Sequence, residues 1–192
     1  KVEFRKIGRD ILNTPSSNFV VTASGRFVPR KGFDVLIKAI AKIPNVTLWL
    51  MGDGPEKQKL VDLTKELGVF KRVKFLGWVE EPIHYIKASN AFVMPSRHEP
   101  LGNALLEAWK AKVPTVSTKS EGPTWYMRDK VDGVMTEIDN VDQISSALKS
   151  FIEKEDLRNF YVKNASERLE QMFNEEAVVN SYLRVFEGQF ND

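Results

Sequence analysis

Two glutamates, Glu99 and Glu107, stand with seven residues between them in the stretch Pro95-Ser96-Arg97-His98-Glu99-Pro100-Leu101-Gly102-Asn103-Ala104-Leu105-Leu106-Glu107. The apolar run ending at Met94 reads as a strand, and the spacing after Leu101 predicts a helix. Glu99 then precedes the helix, and Glu107 lies roughly 9–12 Å along its axis at 1.5 Å per residue. One carboxylate can hold the hydroxyls of a sugar and the other those of a ribose, with a diphosphate spanning the interval. Free N–H groups of Leu101, Gly102 and Asn103 at the helix start would face such phosphates. Taken singly, Glu99 also fits a helix-initiating acid and Glu107 a solvated helical residue.

A second cluster is Gly25-Arg26-Phe27-Val28-Pro29-Arg30-Lys31-Gly32, between a buried run and another predicted helix. Arg26 and Lys31 place two cations beside a helix N-terminus, which suits a diphosphate clamp as well as a solvated basic loop. Gly52-Asp53-Gly54-Pro55 forms a tight βα turn in which Gly54 could lie against a ligand. Trp78 and Val79 could line a base pocket, or the indole could pack under a loop. His98 could bond a sugar hydroxyl or a phosphate, though a loop histidine without function is the commoner case. His84 reads as a capping or packing residue, and Trp125 as core or lid. No spacing of His, Asp and Glu suggests a metal site.

The elements that must position these residues alternate. Asn18–Ser24, Val46–Met51, Val73–Leu76, Ala91–Met94, Thr115–Ser117 and Gly133–Thr136 read as near-continuous apolar strands of a parallel sheet covered on both faces. Helical spacing is predicted over Gly32–Ile43, Pro55–Leu67, Ile83–Ala88, Leu101–Lys112 and Thr124–Lys130. Three further helices follow, Val141–Ile152, Asp156–Met172 and Glu175–Glu187. The expected fold is α/β, a Rossmann-like, doubly wound parallel sheet of about six strands with helices on both faces and C-terminal helices. Residues 1–17 form a lead-in and 18–187 the domain. Ligands of such sheets bind at the carboxyl ends of the strands, where all the loops above fall.

The 192 residues carry 28 basic and 26 acidic side chains, a net charge of +2 without basic blocks. That balance argues against a nucleic-acid partner. No cysteine is present, which excludes disulfides and thiolate chemistry and agrees with a cytoplasmic location. Apolar runs fall far short of the ~18 residues of a membrane span. The chain begins at Lys1, so it is read as part of a longer protein.

In this order the motifs resemble the C-terminal domain of family 4 glycosyltransferases, a group of GT-B fold. Gly25-Arg26 with Lys31-Gly32 resembles the family's phosphate element, Gly52-Asp53-Gly54-Pro55 its glycine turn, and Phe75-Leu76-Gly77 its next strand end. Glu99 and Glu107 resemble its paired glutamates. The resemblance implies donor binding by Gly25, Arg26, Lys31, Gly54, Trp78, Val79, His98, Glu99, Leu101, Gly102, Asn103 and Glu107. Within that set Glu99 would orient a hexose, while Arg26 and Lys31 would neutralise the leaving diphosphate. It further implies a retaining, metal-independent transfer from a UDP- or GDP-linked sugar, without cofactor, to a glycan or lipid-linked acceptor. That acceptor would be held by an N-terminal domain lying outside this chain, so the chain alone would be inactive. Peripheral association with the inner face of the cell membrane would suit such an acceptor. Relatives often have a Gly-Gly loop where this chain has Ser120-Glu121-Gly122-Pro123. A GT-B-like sugar-nucleotide epimerase and an inert nucleotide-binding scaffold are the rival readings. A dehydrogenase reading lacks the Gly-x-Gly-x-x-Gly turn after the first strand.

Overall fold

The computed structural model describes residues 9–10, 12–175, 179 and 183. Six strands, β1 (Phe19–Ser24), β2 (Val46–Met51), β3 (Val73–Gly77), β4 (Ala91–Met94), β5 (Thr115–Thr118) and β6 (Val134–Thr136), form one sheet in the order β3-β2-β1-β4-β5-β6. Every neighbouring pair is parallel. All six residues of β2 and all four of β4 are buried, as expected for strands covered on both faces. The buried indoles keep their N–H groups satisfied, Trp49 donating to Thr14 Oγ1 and Trp109 to Thr115 Oγ1, both at 3.1 Å.

Among the described residues the sheet is covered by helices α1 (Phe33–Ala41), α2 (Lys57–Glu66), α3 (Pro82–Ala88), α4 (Asn103–Lys110), α5 (Glu121–Tyr126), α6 (Val141–Glu153) and α7 (Glu155–Phe173). Leu36, Ile37 and Ile40 of α1 join Leu60 of α2 and Ile144, Leu148 and Phe151 of α6 in one core cluster. Ile86 of α3, Leu105 and Trp109 of α4 and Tyr126 of α5 build a second. Helix α7 gives Tyr161 to the first and Ala165 to the second. The sheet is therefore doubly wound and Rossmann-like.

Several boundaries differ from the sequence reading. Short 3-10 turns at Pro29–Lys31 and Phe70–Arg72 precede α1 and β3. Gly32 and Gly102, both left-handed, act as N-caps, so α1 and α4 start one and two residues later than the spacing suggests. Pro55 lies in the turn before α2 instead of its first turn. Helix α5 begins at Glu121 and not Thr124, because Gly122 fits against the Leu101 carbonyl, where a Cβ would stand 2.5 Å from the oxygen. The helix expected over Glu175–Glu187 lies, apart from Glu175, Val179 and Leu183, outside the described residues. Among the described residues no helix is long and apolar enough to cross a membrane.

Candidate functional site

The strand order reverses between β1 and β4, and the loops leaving their carboxyl ends diverge there into a crevice. It holds about 500 Å³ and is lined by residues from Ser24–Lys31, Met51–Gly52, Trp78–Pro82 and Glu99–Glu107.

One wall is the loop from Gly25 to Gly32. Its anchor is Phe27, fully buried, with edge-on contacts to Phe33 at 5.4 Å and Phe75 at 6.1 Å. Truncating such a side chain costs roughly 3–5 kcal/mol. The neighbouring turn is locked on: Gly25 N–H donates to Met51 O at 3.0 Å, Phe27 N–H to Asp53 O at 2.8 Å and Glu56 N–H to Phe27 O at 3.0 Å. This interlock explains the glycine turn. A Cβ on Gly52 would stand 2.0 Å from Gly25 O, and one on Gly54 2.5 Å from Phe27 O. Gly54 thus packs against the loop's own backbone and is not among the residues that line the crevice.

The opposite wall is the segment from Ser96 to Glu107. Lys31 Nζ forms a tight ion pair with Glu99 Oε2, and Ser96 Oγ donates to the same oxygen at 3.2 Å. Both partners are largely buried, at 17% and 12% side-chain exposure. The Glu99 backbone is pinned through α5, since its N–H donates to Glu121 Oε2 at 3.1 Å and its C=O accepts from Gly122 N–H at 2.8 Å. Glu121 is held ionised, its pKa drawn down to about 2 by its own backbone N–H, that of Glu99 and the His98 ring. His98 Nδ1–H donates to Glu121 Oε1 at 2.7 Å. The Nδ1 side of the imidazole is thereby engaged by α5, and His98 is not among the residues that line the crevice.

Gly102 caps α4 at φ +89°, and a Cβ there would meet Met94 Cε at 2.9 Å and Tyr126 Oη at 3.0 Å. Burial, reinforced by the charge of Glu99, pushes the Tyr126 phenol up. It stays a neutral donor, 3.4 Å from Gly102 O. Asn103 and Glu107 share a helix face one turn apart and both line the crevice. Glu107 is half-buried, and this desolvation raises its pKa. Trp78 lines the opposite end and is 86% exposed, so the indole does not pack under a loop.

Gly25, Arg26, Lys31, Trp78, Val79, Glu99, Leu101, Gly102, Asn103 and Glu107 thus converge, while Gly54 and His98 stand apart. Sequence reasoning missed Arg30, a third cation in the lining, and Arg97, which braces the two walls. The Arg97 backbone N–H donates to Arg30 O at 2.7 Å. Its guanidinium grips both oxygens of Asp34 at 3.0 and 2.9 Å and pairs with Asp139 at 2.7 Å. Neither residue had a signal in a single sequence beyond its charge. Elsewhere, His84 pairs with Glu81 at 3.1 Å. Trp125 is 64% exposed, edge-on to Tyr126 and Phe173. Among the described residues no three of His, Cys, Asp and Glu come together as a metal site would require.

Comparison with known proteins agrees with this geometry. The chain is 42% identical to the lipopolysaccharide core biosynthesis glycosyltransferase LpsE of Rhizobium meliloti over 93% of its length, and 40% identical to LpsD of the same organism over 94%. It covers 53% of each, so the chain spans about half the length of the curated relatives it matches. Anabaena HepE, solved with UDP-glucose, superposes with a TM-score of 0.90 at 26% identity, over 98% of this chain and 53% of that one. Residues 4–168 match the family described as glycosyl transferases group 1, and the chain belongs to that family.

Proposed function

We propose that this chain is the donor-binding half of a family 4 glycosyltransferase. The enzyme would transfer a hexose from a UDP-linked donor to a glycan or lipid-linked acceptor, at the cytoplasmic face of a membrane. The observation that carries the reading is the crevice at the strand-order reversal, where Arg26 and Lys31 face Glu99 and Glu107 across a glycine-lined floor. The relatives named above are lipopolysaccharide core glycosyltransferases, and HepE was solved with UDP-glucose. Both support a sugar-nucleotide donor and a glycan acceptor.

The chemistry follows from charge. Breaking the glycosidic bond leaves negative charge on the distal phosphate, and fixed cations stabilise that charge more in the transition state than in the ground state. Arg26 and Lys31 supply those cations, doing electrostatically what a divalent metal does in other transferases. Glu99, held by Lys31 and Ser96, accepts hydrogen bonds from the hexose hydroxyls. Glu107, whose carboxylate has no hydrogen-bond partner among the described residues, accepts from the ribose. Acceptor binding falls to a second domain, and transfer proceeds with retention of configuration and without metal. The epimerase alternative needs acid–base groups over the hexose, yet Glu99 is committed to Lys31 and His98 to Glu121.

Calorimetric titration with UDP, GDP and ADP, beside an Arg26→Ala/Lys31→Ala double variant, tests the donor site. UDP is expected to bind, and the variant to lose on the order of a hundredfold in affinity, at about tenfold or more per charge-assisted contact. Failure of every nucleotide to bind both this chain and the longer protein containing it would refute the proposal. Transfer by that longer protein should survive EDTA, and dependence on added divalent metal would remove the metal-independent part.

A further inference from the structure

The lining carries three cations, Arg26, Arg30 and Lys31, against two acids, Glu99 and Glu107. Lys31 is already engaged by Glu99. The remaining acids around the loop are engaged too: Asp34 and Asp139 by Arg97, and Glu121 by His98 and the Glu99 N–H. Arg30 therefore has no carboxylate partner among the described residues, although it stands in the crevice. Its backbone is fixed, the carbonyl accepting from Arg97 N–H at 2.7 Å and from His98 N–H at 3.4 Å. A cation with an anchored main chain and an open side chain is preorganised for an external anion.

Charge balance indicates which anion. With Arg30 the lining bears one net positive charge, and without it the lining would be neutral. The diphosphate of a nucleotide sugar brings two negative charges, and Lys31 must share its own charge with Glu99. Arg26 alone would leave that diphosphate under-compensated in a partly desolvated site. We infer that Arg30 is a third cationic ligand of the donor diphosphate, acting with Arg26 and Lys31. This rests on the reading of the crevice as a donor site.

The test compares wild type, Arg30→Gln and Arg30→Lys by titration with UDP, UMP and uridine at physiological salt. Melting curves confirm that the exposed substitution leaves the fold intact. Arg30→Gln is expected to weaken UDP about tenfold, to weaken UMP less, and to leave uridine within about twofold. Arg30→Lys should recover part of the loss, since it restores the charge without the bidentate fork. Lys119→Gln, a charge change outside the crevice, should move UDP affinity less than about twofold, because screened charges at a distance contribute little. If wild type binds UDP and Arg30→Gln binds it equally well, the inference is overturned while the donor site stands. Equal losses for UDP and uridine, or an equal effect of Lys119→Gln, would overturn it as well by exposing loop distortion or a global field. If neither this chain nor the longer protein containing it binds any nucleotide, the proposed function falls and this assignment falls with it.

Discussion

Replacing Arg97 with alanine removes a side chain that spans three loops. Its guanidinium bonds both oxygens of Asp34 in the first turn of α1, one oxygen of Asp139 before α6, and the carbonyl of Pro29. Asp34 and Arg97 are 34% and 29% exposed, so solvent screens the pair only in part, whereas Asp139, at 53%, is well solvated. An exposed pair contributes ~0.2–1 kcal/mol and a hydrogen bond to a charged group ~1.5–3 kcal/mol. Discounting for exposure, the bidentate pair and the Pro29 bond together contribute about 2 kcal/mol, and the Asp139 bond a few tenths. In a domain of this size each kcal/mol moves Tm by roughly 2–4 °C, so Arg97→Ala should melt about 4–8 °C lower.

The pH dependence supplies a separate check. Burial alone would raise the Asp34 carboxyl, but the Arg97 hydrogen bonds and charge outweigh it and the net shift is downward. A carboxyl with a lowered folded pKa contributes stability above its unfolded value and loses it as pH falls through the folded value. The gap in Tm between wild type and Arg97→Ala should therefore be full at pH 7 and narrow as pH drops below about 4. UDP affinity should fall several-fold without vanishing, because the backbone bond from residue 97 to Arg30 survives the substitution. Thermal and urea unfolding at pH 7 and in acid, with Asp34→Asn as companion, measure all of this. A variant melting within 1 °C of wild type at pH 7 would refute the assignment of Arg97 as brace, and so would a gap unchanged in acid.

Further outcomes concern the glycines and Glu107. Gly32→Ala would put a Cβ 2.0 Å from Pro95 O at φ +65° and should lose both UDP binding and at least about 2 kcal/mol, read by titration and urea unfolding. Gly68→Ala, at φ +68° with no atom within 4 Å, should lose only about 1 kcal/mol and no binding. Desolvation raises Glu107, so its ionised form weakens the empty fold at neutral pH, and that cost fades in acid. Glu107→Gln should therefore raise Tm at pH 7 while weakening UDP-glucose, whose diester phosphates take up no proton near neutrality. Wild-type affinity for UDP-glucose should drop as pH falls through the raised Glu107 value, and a flat profile would remove Glu107 from the donor contacts.

What could be read in the sequence depended on whether the cause was local. Strands β2 and β4 were legible because burial on both faces demands an unbroken apolar run. The spacing of Glu99 and Glu107 carried its own geometry, since a helix fixes the distance between them. Arg97, Asp34 and Asp139 were not legible as a unit, because their meeting depends on three βα loops ending at the same sheet edge. His98 illustrates the converse. Its adjacency to Glu99 suggested ligand contact, but Glu121, 23 residues on, captures its ring. Gly54 is similar: its freedom serves the Phe27 backbone, a neighbour that no local pattern reveals.

The charged groups of the crevice divide by what they touch. Lys31 with Glu99, Arg97 with Asp34, and His98 with Glu121 are engaged within the protein, while Arg26, Arg30 and Glu107 have no ionic partner among the described residues. Engaged pairs fix positions before any ligand arrives, so a donor need not spend binding energy on ordering them. The unengaged groups give up water and rotamer freedom on binding but break no internal ion pair, so their interaction with a ligand changes affinity without changing the fold. Substitutions should separate along this line. Changes to Arg97, Asp34 or Glu121 should lower stability first and affinity second, whereas changes to Arg26 or Arg30 should lower affinity at nearly constant Tm. Lys31 belongs to both groups, because it orders Glu99 and also faces the crevice. Lys31→Ala should move Tm and affinity together, and a pure affinity effect there would mean that the ion pair with Glu99 does not hold the site in shape.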